Sequence, residues 1–164
     1  MPLKLCGAVL LLLAGFFAGG AYAAACRQAT GELAALLHAL EFTRAQIAFL
    51  ASPLPAIFEL LAADKSCGAL FSDAAQALSR GGDFSAAVCA LCARIGDRQA
   101  REEVERLFRA LETSDSEQAQ ALLAKSHAAI ESLLREKEQQ AREKAPLARR
   151  IALAASALLA IVLI

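Results

Sequence analysis

Leu5–Cys26, LCGAVLLLLAGFFAGGAYAAAC, is the stretch on which the architecture turns. It carries no charged side chain over 22 positions, roughly 33 Å as a helix, against a hydrocarbon core of about 30 Å. Its end admits two other fates. Ala21-Tyr22-Ala23 has the small-x-small form of a signal-peptidase site, and the alanines before Cys26 resemble a lipoprotein cleavage box. Cleavage near Ala23 or lipidation at Cys26 would make an exported helical binding protein. Retention would make a membrane helix. Only Lys4 precedes the run, a poor n-region for export. A second apolar run also closes the chain, which an exported protein would leave unexplained. Retention is the expected outcome.

That second run, Ile151–Ile164, spans roughly 21 Å by the same rise. It reaches across a bilayer if Leu147 and Ala148 join it and Arg149 and Arg150 snorkel to the interface. Two spans would leave the middle of the chain on one side of the membrane. Arg27, Arg142, Lys144, Arg149 and Arg150 flank the spans on that side, against Lys4 and the terminal amine on the other. The positive-inside rule puts the middle in the cytoplasm. The expected division is a span over 1–26, a cytoplasmic domain over 27–146 and a span over 147–164. Gly15, Gly19 and Ala23 recur every four positions on the first span, as do Ala152, Ser156 and Ala160 on the second. Small residues at that spacing let helices approach closely in lipid, either each other or other membrane subunits.

Hydrophobic residues make up 57% of the 164 positions but aromatics only 5%, so the excess is Ala and Leu, the best helix formers. The expected fold class is all-α: an antiparallel bundle of about six helices, tethered at both ends. Net charge is zero, with no basic excess to build a nucleic-acid groove. Arg27–Ala51 reads as a helix with Leu33, Leu36, Leu37, Leu40 and Ile47 on one face. Ser52-Pro53-Leu54-Pro55 stops it, with Ser52 as the expected cap of the next helix and Pro53 at its first position, or a start slipped to Pro55. That helix runs to about Ala63. Others follow over Ala69–Ser79, from Asp83 as a cap to Gly96, and over Asp97–Leu111. The last of these has Val104, Leu107, Phe108 and Leu111 on its apolar stripe and Glu102–Arg106 and Glu105–Arg109 as surface pairs. Ser114 followed by Glu117 reads as a capping box, with Asp115 adding charge at the dipole's positive end. The sixth helix carries Leu123, Ile130, Leu133 and Leu134, runs to about Ala145, and is kinked or interrupted at Pro146. Capping explains both Ser52–Pro55 and Thr113–Asp115 without a ligand, so their expected role is structural.

No catalytic, cofactor or metal site emerges. Cys89 and Cys92 form one C-x-x-C on an apolar helix, where cysteines serve as small core residues. Zinc would need further ligands, and His38 and His127 are the only histidines. His127 shares a face with Leu123, Ile130 and Leu134, as a packed, hydrogen-bonded histidine would. Gly81-Gly82 lacks the Lys-Ser/Thr of a phosphate loop. Cys67 falls in a turn, and a cytoplasmic domain would keep these thiols reduced.

The order of motifs carries a resemblance. Leu3-Lys4-Leu5-Cys6-Gly7-Ala8 opens the chain, Ser52-Pro53-Leu54-Pro55 follows a long helix, and Leu111-Glu112-Thr113-Ser114-Asp115 precedes a long charged helix and an apolar end. Over nearly its whole length the chain resembles the stage III sporulation protein AB family, with Glu112 where glycine is usual. The resemblance implies a membrane protein of endospore-forming bacteria whose soluble part is similar to the helical domain of the type II secretion platform protein F. It implies a place in the complex joining mother cell to forespore, supporting late forespore gene activation, with other stage III sporulation membrane proteins as partners. By analogy with secretion platforms it implies a cytoplasmic ATPase as a further partner.

Overall fold

The computed structural model describes the backbone of residues 2–50 and 52–163, and the side chains of Gly20, Ala21, 24–50, 52–143, Leu147, Arg150, Ile151, Ala154 and Ala155. Among the described residues the fold is all-α, with six α-helices and no strand. In chain order they are α1 (Pro2–Ala45), α2 (Leu54–Ala63), α3 (Gly68–Ser79), α4 (Phe84–Arg94), α5 (Arg98–Leu111) and α6 (Ser116–Leu163). The chain divides into two compact units. One comprises 1–30 with 136–164, the other 31–135.

The apolar run and the first amphipathic segment form one uninterrupted helix of 44 residues, because no residue between them breaks the ladder. Thr30 turns its hydroxyl back onto the carbonyls of Cys26 and Arg27, at 3.2 and 3.0 Å, so it adds no strand-like detour. This helix is long and apolar enough to cross a membrane by length and composition. Not all of that apolarity is available to lipid. Within Ala24–Leu50, the stretch of this helix and its π-helical turn that is long and apolar enough to span among the described residues, Leu33, Leu36, Ala39 and Leu40 are buried in the core. The buried hydroxyl of Thr43 donates to Ala39 O at 2.8 Å, so even this polar group is satisfied there. After Ala45 the helix widens into a π-helical turn, Gln46–Leu50.

Unit 31–135 is organised around aromatic packing. Phe58 of α2 has its ring centroid 5.3 Å from Phe71, 5.2 Å from Phe84 and 5.0 Å from Phe108, two of the three edge-to-face. Aromatic pairs favour that arrangement because ring edges are positive and faces negative. Ile57, Leu61, Leu91, Ile95, Val104, Leu123 and Ile130 complete the core, all at most 1% exposed. The stripe Val104, Leu107, Phe108 and Leu111 is buried as its spacing predicts. Leu37 on α1 and Ile47 in the π-helical turn are only half-buried, beside the buried Leu33, Leu36 and Leu40.

Turn chemistry sets the boundaries. Asp64 ends α2, its carboxylate accepting from Ser66 N at 2.7 Å and Ser66 Oγ at 2.6 Å. Gly81, at φ 82°, ends α3. Gly82 N donates to Ala77 O (3.0 Å) and Gly81 N to Leu78 O (2.9 Å), the paired bonds of a Schellman motif. Asp83 caps α4 through Ala86 N, and Asp97 caps α5 through Gln99 N and Ala100 N. Arg101 reaches back to Ile95 O at 2.7 Å, closing the α4–α5 turn.

Several expectations are corrected. Ser52 does not cap α2: its hydroxyl bonds Gln46 Oε1 at 3.2 Å, and Pro53, with φ −66° and ψ 144°, occupies the cap position. Pro55 then falls in the first turn, where its missing N–H leaves no bond unmade. Ser114 does not cap α6 either. Its hydroxyl donates to Ala110 O, closing α5, while Asp115 accepts from Gln118 N at 2.8 Å. The cap register is one residue later than Ser114–Glu117, because a carboxylate accepts from a helix N-terminus more strongly than a hydroxyl. Glu117 still lies in the first turn. Glu105–Arg109 pairs at 2.6 Å, but Arg106 pairs with Glu103 and Glu102 with Arg98. Finally, of the two outcomes expected at position 146, interruption does not occur: α6 continues to Leu163. A proline there removes one rung, and the helices on both sides are long enough to carry the gap.

Candidate partner-binding cleft

The two proline- and serine-marked turns lie 58 residues apart in sequence, counting from Pro53 to Leu111, yet they line one cleft. Its volume is about 330 Å³ and its walls include Ile47, Pro53, Leu54, Leu111, Glu112 and Asp115. The chain path explains the meeting. Within unit 31–135, Glu41 of α1 faces His127 of α6 (3.2 Å), and past the end of α1 Ile47 of the π-helical turn shares the cleft with Ala119. The outgoing and returning helices therefore run in opposite senses, and α1 ends where α6 begins.

Asp115 spends one carboxylate oxygen on the α6 cap. Thr113 stays exposed, its hydroxyl 3.4 Å from Ala110 O, and Ser114 is half-buried against the same carbonyl. Ser52 and Leu54 are half-buried, and Pro53 and Pro55 exposed. Five of these expected structural residues, Ser52, Pro53, Leu54, Ser114 and Asp115, thus line one cleft rather than two separate corners, while Pro55, Thr113 and Glu117 stand exposed outside its lining.

Phe49 and Leu50, 86% and 67% exposed at the end of the π-helical turn, lie in sequence between the lining residues Ile47 and Ser52 and do not line the cleft themselves. Full burial of such side chains is worth about 1.5–3 kcal/mol each, so a partner covering them gains appreciably. Sequence reading passed over them, although a signal exists. Phe49 falls on the opposite side of the helix from the Leu33–Leu36–Leu40–Ile47 stripe, so core packing cannot claim it.

The remaining candidates have structural uses. Cys67 is buried, not held open in its turn, and donates to Leu61 O at 3.5 Å. Cys92 is buried with Arg101 O at 3.9 Å, while Cys89 faces solvent. Burial raises the thiols of both Cys67 and Cys92 to about 11. The two halves of the C-x-x-C thus differ in environment. Among the described residues no cluster of three or more His, Cys, Asp or Glu is placed to hold a metal ion. His38 lies 3.5 Å from Asp64, and His127 is half-buried and hydrogen-bonded, as its helix face implied. Asp64 is held down at about 2, first by the Ser66 hydroxyl and then by the Ser66 N–H. Arg94 and Asp73 form a two-bond ion pair between α3 and α4, which lowers the Asp73 carboxyl and raises the Arg94 guanidinium. Gly15, Gly19, Ala23, Ala152, Ser156 and Ala160, the expected helix-packing residues of the spans, lie outside the residues whose side chains are described.

Comparison with the curated proteins and with the solved structures gave no match. A comparison with protein families matched residues 4–164 to stage III sporulation protein AB. The match takes in both turns of the cleft and each apolar end, so the chain belongs to the stage III sporulation protein AB family, and its role is related to sporulation.

Proposed function

We propose that this protein is a non-enzymatic platform subunit of the mother cell–forespore channel complex, required for endospore formation and late forespore gene activation. Leu5–Cys26 and the run from Leu147 to Ile164 act as membrane spans, and 27–146 forms an antiparallel helical bundle on the mother-cell cytoplasmic side of the outer forespore membrane. The bundle's exposed faces bind other stage III sporulation membrane proteins and a cytoplasmic secretion-type ATPase.

The observation that carries this reading is the convergence of the two family-like turns on one cleft, with Phe49 and Leu50 exposed in the segment between its lining residues Ile47 and Ser52. Within unit 31–135 the outgoing and returning helices run in opposite senses, which suits a subunit held by both ends of its chain. Asp115 in the cleft caps α6, and elsewhere His38 with Asp64 and Arg94 with Asp73 form ion pairs, uses that suit a scaffold. Site-specific crosslinking from the surface of the full chain in sporulating cells tests it: capture of sporulation-specific membrane proteins is expected, and capture of none removes the proposal. Mass spectrometry of the membrane fraction checks the anchoring. An intact Met1 end is expected, and a new terminus near Ala23 or a lipid on Cys26 would favour export instead.

A further inference from the structure

The charge around the cleft says what kind of segment it accepts. Its ionisable lining residues are Glu112 and Asp115, both exposed, with Glu117 close by in the first turn of α6, and no lysine or arginine lines it. Two helix N-termini, those of α2 and α6, also open onto it. Each is worth roughly half a positive charge, so together they do not cancel two carboxylates, and the mouth stays negative. The floor is apolar, from Ile47, Leu54, Leu111 and Ala119.

We infer that this cleft is where a partner protein docks a segment bearing a large apolar side chain flanked by lysine or arginine, with Phe49 and Leu50 exposed in the stretch of chain between its lining residues Ile47 and Ser52. This rests on the platform reading above and goes on to name the surface and the chemistry that recognises it. Other occupants fit less well. A two-fold contact between copies would set Glu112 and Asp115 against the same carboxylates of the second copy. Anionic lipid headgroups and free phosphate would meet the same repulsion. An apolar side chain in the cleft with a cation at its acidic rim satisfies both floor and mouth. A π-helical turn at this spot accords with the habit of such widened turns to mark functional positions.

The test uses the full chain in sporulating cells, with the photoreactive analogue benzoylphenylalanine placed at Phe49 and, as a control outside the cleft lining, at the exposed Gln76 of α3. The crosslinked fragment is sequenced by mass spectrometry. A fragment from another protein, with a large apolar residue within a few positions of Lys or Arg, is expected from Phe49. The double variant E112Q/D115N should lower that yield about 3- to 30-fold, as two surface charge pairs allow. The D115N change keeps a side-chain oxygen to cap Gln118, so an unchanged thermal midpoint will show that folding is intact. A fragment from a second copy, an acidic fragment, a lipid adduct, or a yield indifferent to the double variant each overturns the inference. Capture of sporulation membrane proteins from Gln76 with nothing from Phe49 would sink the docking site and leave the platform reading standing. Silence from every face would sink both.

Discussion

His127 Nε2 lies 3.2 Å from Glu41 Oε1, and the contact ties the returning helix α6 to the outgoing helix α1. It sits in a part of the unit where both helices also bury apolar stripes, Leu36 and Leu40 on one, Leu123 and Ile130 on the other. The pair is therefore a register mark on a contact that apolar burial already drives. Glu41 is 67% exposed, so solvent screens the interaction. A double-mutant cycle with Glu41→Ala and His127→Ala, read by urea unfolding of the detergent-solubilised full chain, should return a coupling of about 0.2–1 kcal/mol. A value well above that range would mean the pair holds the helices together, and the apolar argument would be wrong.

Phe58 should be the costliest single truncation of the unit. It is fully buried and touches the rings of Phe71, Phe84 and Phe108, contributed by three different helices. Phe58→Ala removes the shared partner of all three and leaves a cavity that α2 alone cannot collapse to fill. A loss of about 3–5 kcal/mol is expected from chemical denaturation. Leu60, two residues away but 47% exposed, provides the comparison, and Leu60→Ala should change stability by no more than about 0.5 kcal/mol. Similar losses at both positions would contradict the packing described.

The start of α6 separates two capping assignments that the sequence alone leaves adjacent. Asp115 accepts from Gln118 N, whereas Ser114 donates back to Ala110 O. Asp115→Ala should therefore cost roughly 0.5–2 kcal/mol, and Asp115→Asn much less because an amide oxygen also caps. Ser114→Ala loses only a bond to a carbonyl that ends α5, and should fall below Asp115→Ala in the same thermal melts. The reverse order would restore Ser114 as the cap.

The thiols should react in the order of their exposure. Cys89 is open to solvent, whereas Cys67 and Cys92 are buried and held protonated, with thiols near 11. For Cys67 burial acts first and the charge of Asp64 second. Iodoacetamide at mildly alkaline pH should alkylate Cys89 readily and spare the other two until denaturant is added. The same shifts fix a sign. Unfolded thiols ionise near 9 and these folded ones near 11, so between those values the folded state holds more protons and stability must fall as pH rises. Asp64 gives the mirror case at low pH: its stabilising contribution is present above its ordinary 3.8 and is lost as pH falls toward 2. Equal labelling of all three cysteines in the native state would disprove the burial.

Much of this was legible in the residues. Helix type followed from Ala and Leu content, and the buried stripe of α5 from spacing alone, because an amphipathic face is a local pattern. The Asp83 cap and the Gly81-Gly82 stop were equally readable, since each satisfies backbone groups within a turn of itself. What could not be read was settled by competition among nearby groups. Ser114 and Asp115 are both able to cap, and only the relative strength of carboxylate and hydroxyl acceptors decides between them. Ser52 turned to Gln46 because the π-helical turn brought that side chain within reach. The cleft itself depends on α1 and α6 lying side by side, a long-range pairing that no window of neighbouring residues contains. The unbroken course of α6 past position 146 is of the same kind, since a proline's local cost says nothing of how much helix lies on each side.

Two glycines should respond in opposite directions to the same substitution. Gly31 lies exposed within α1, and a Cβ placed there would meet nothing within 4 Å. A helix interior gains about 0.5–1 kcal/mol when alanine replaces glycine, because the unfolded chain has less freedom to lose. Gly31→Ala should accordingly stabilise the protein by that order. Gly68 opens α3 directly after the Asp64 turn, and a Cβ there would stand 2.6 Å from the carbonyl oxygen of Ala62 and 3.4 Å from its carbon. Both are backbone atoms of α2, which cannot swing aside as a side chain would. Gly68→Ala must push α2 and α3 apart at their tightest turn, a strain of about 1–3 kcal/mol, and thermal unfolding of the two variants beside the parent chain measures both effects. A stabilised or neutral Gly68→Ala would mean that the close approach of α2 to α3 at this turn is not present in the folded protein.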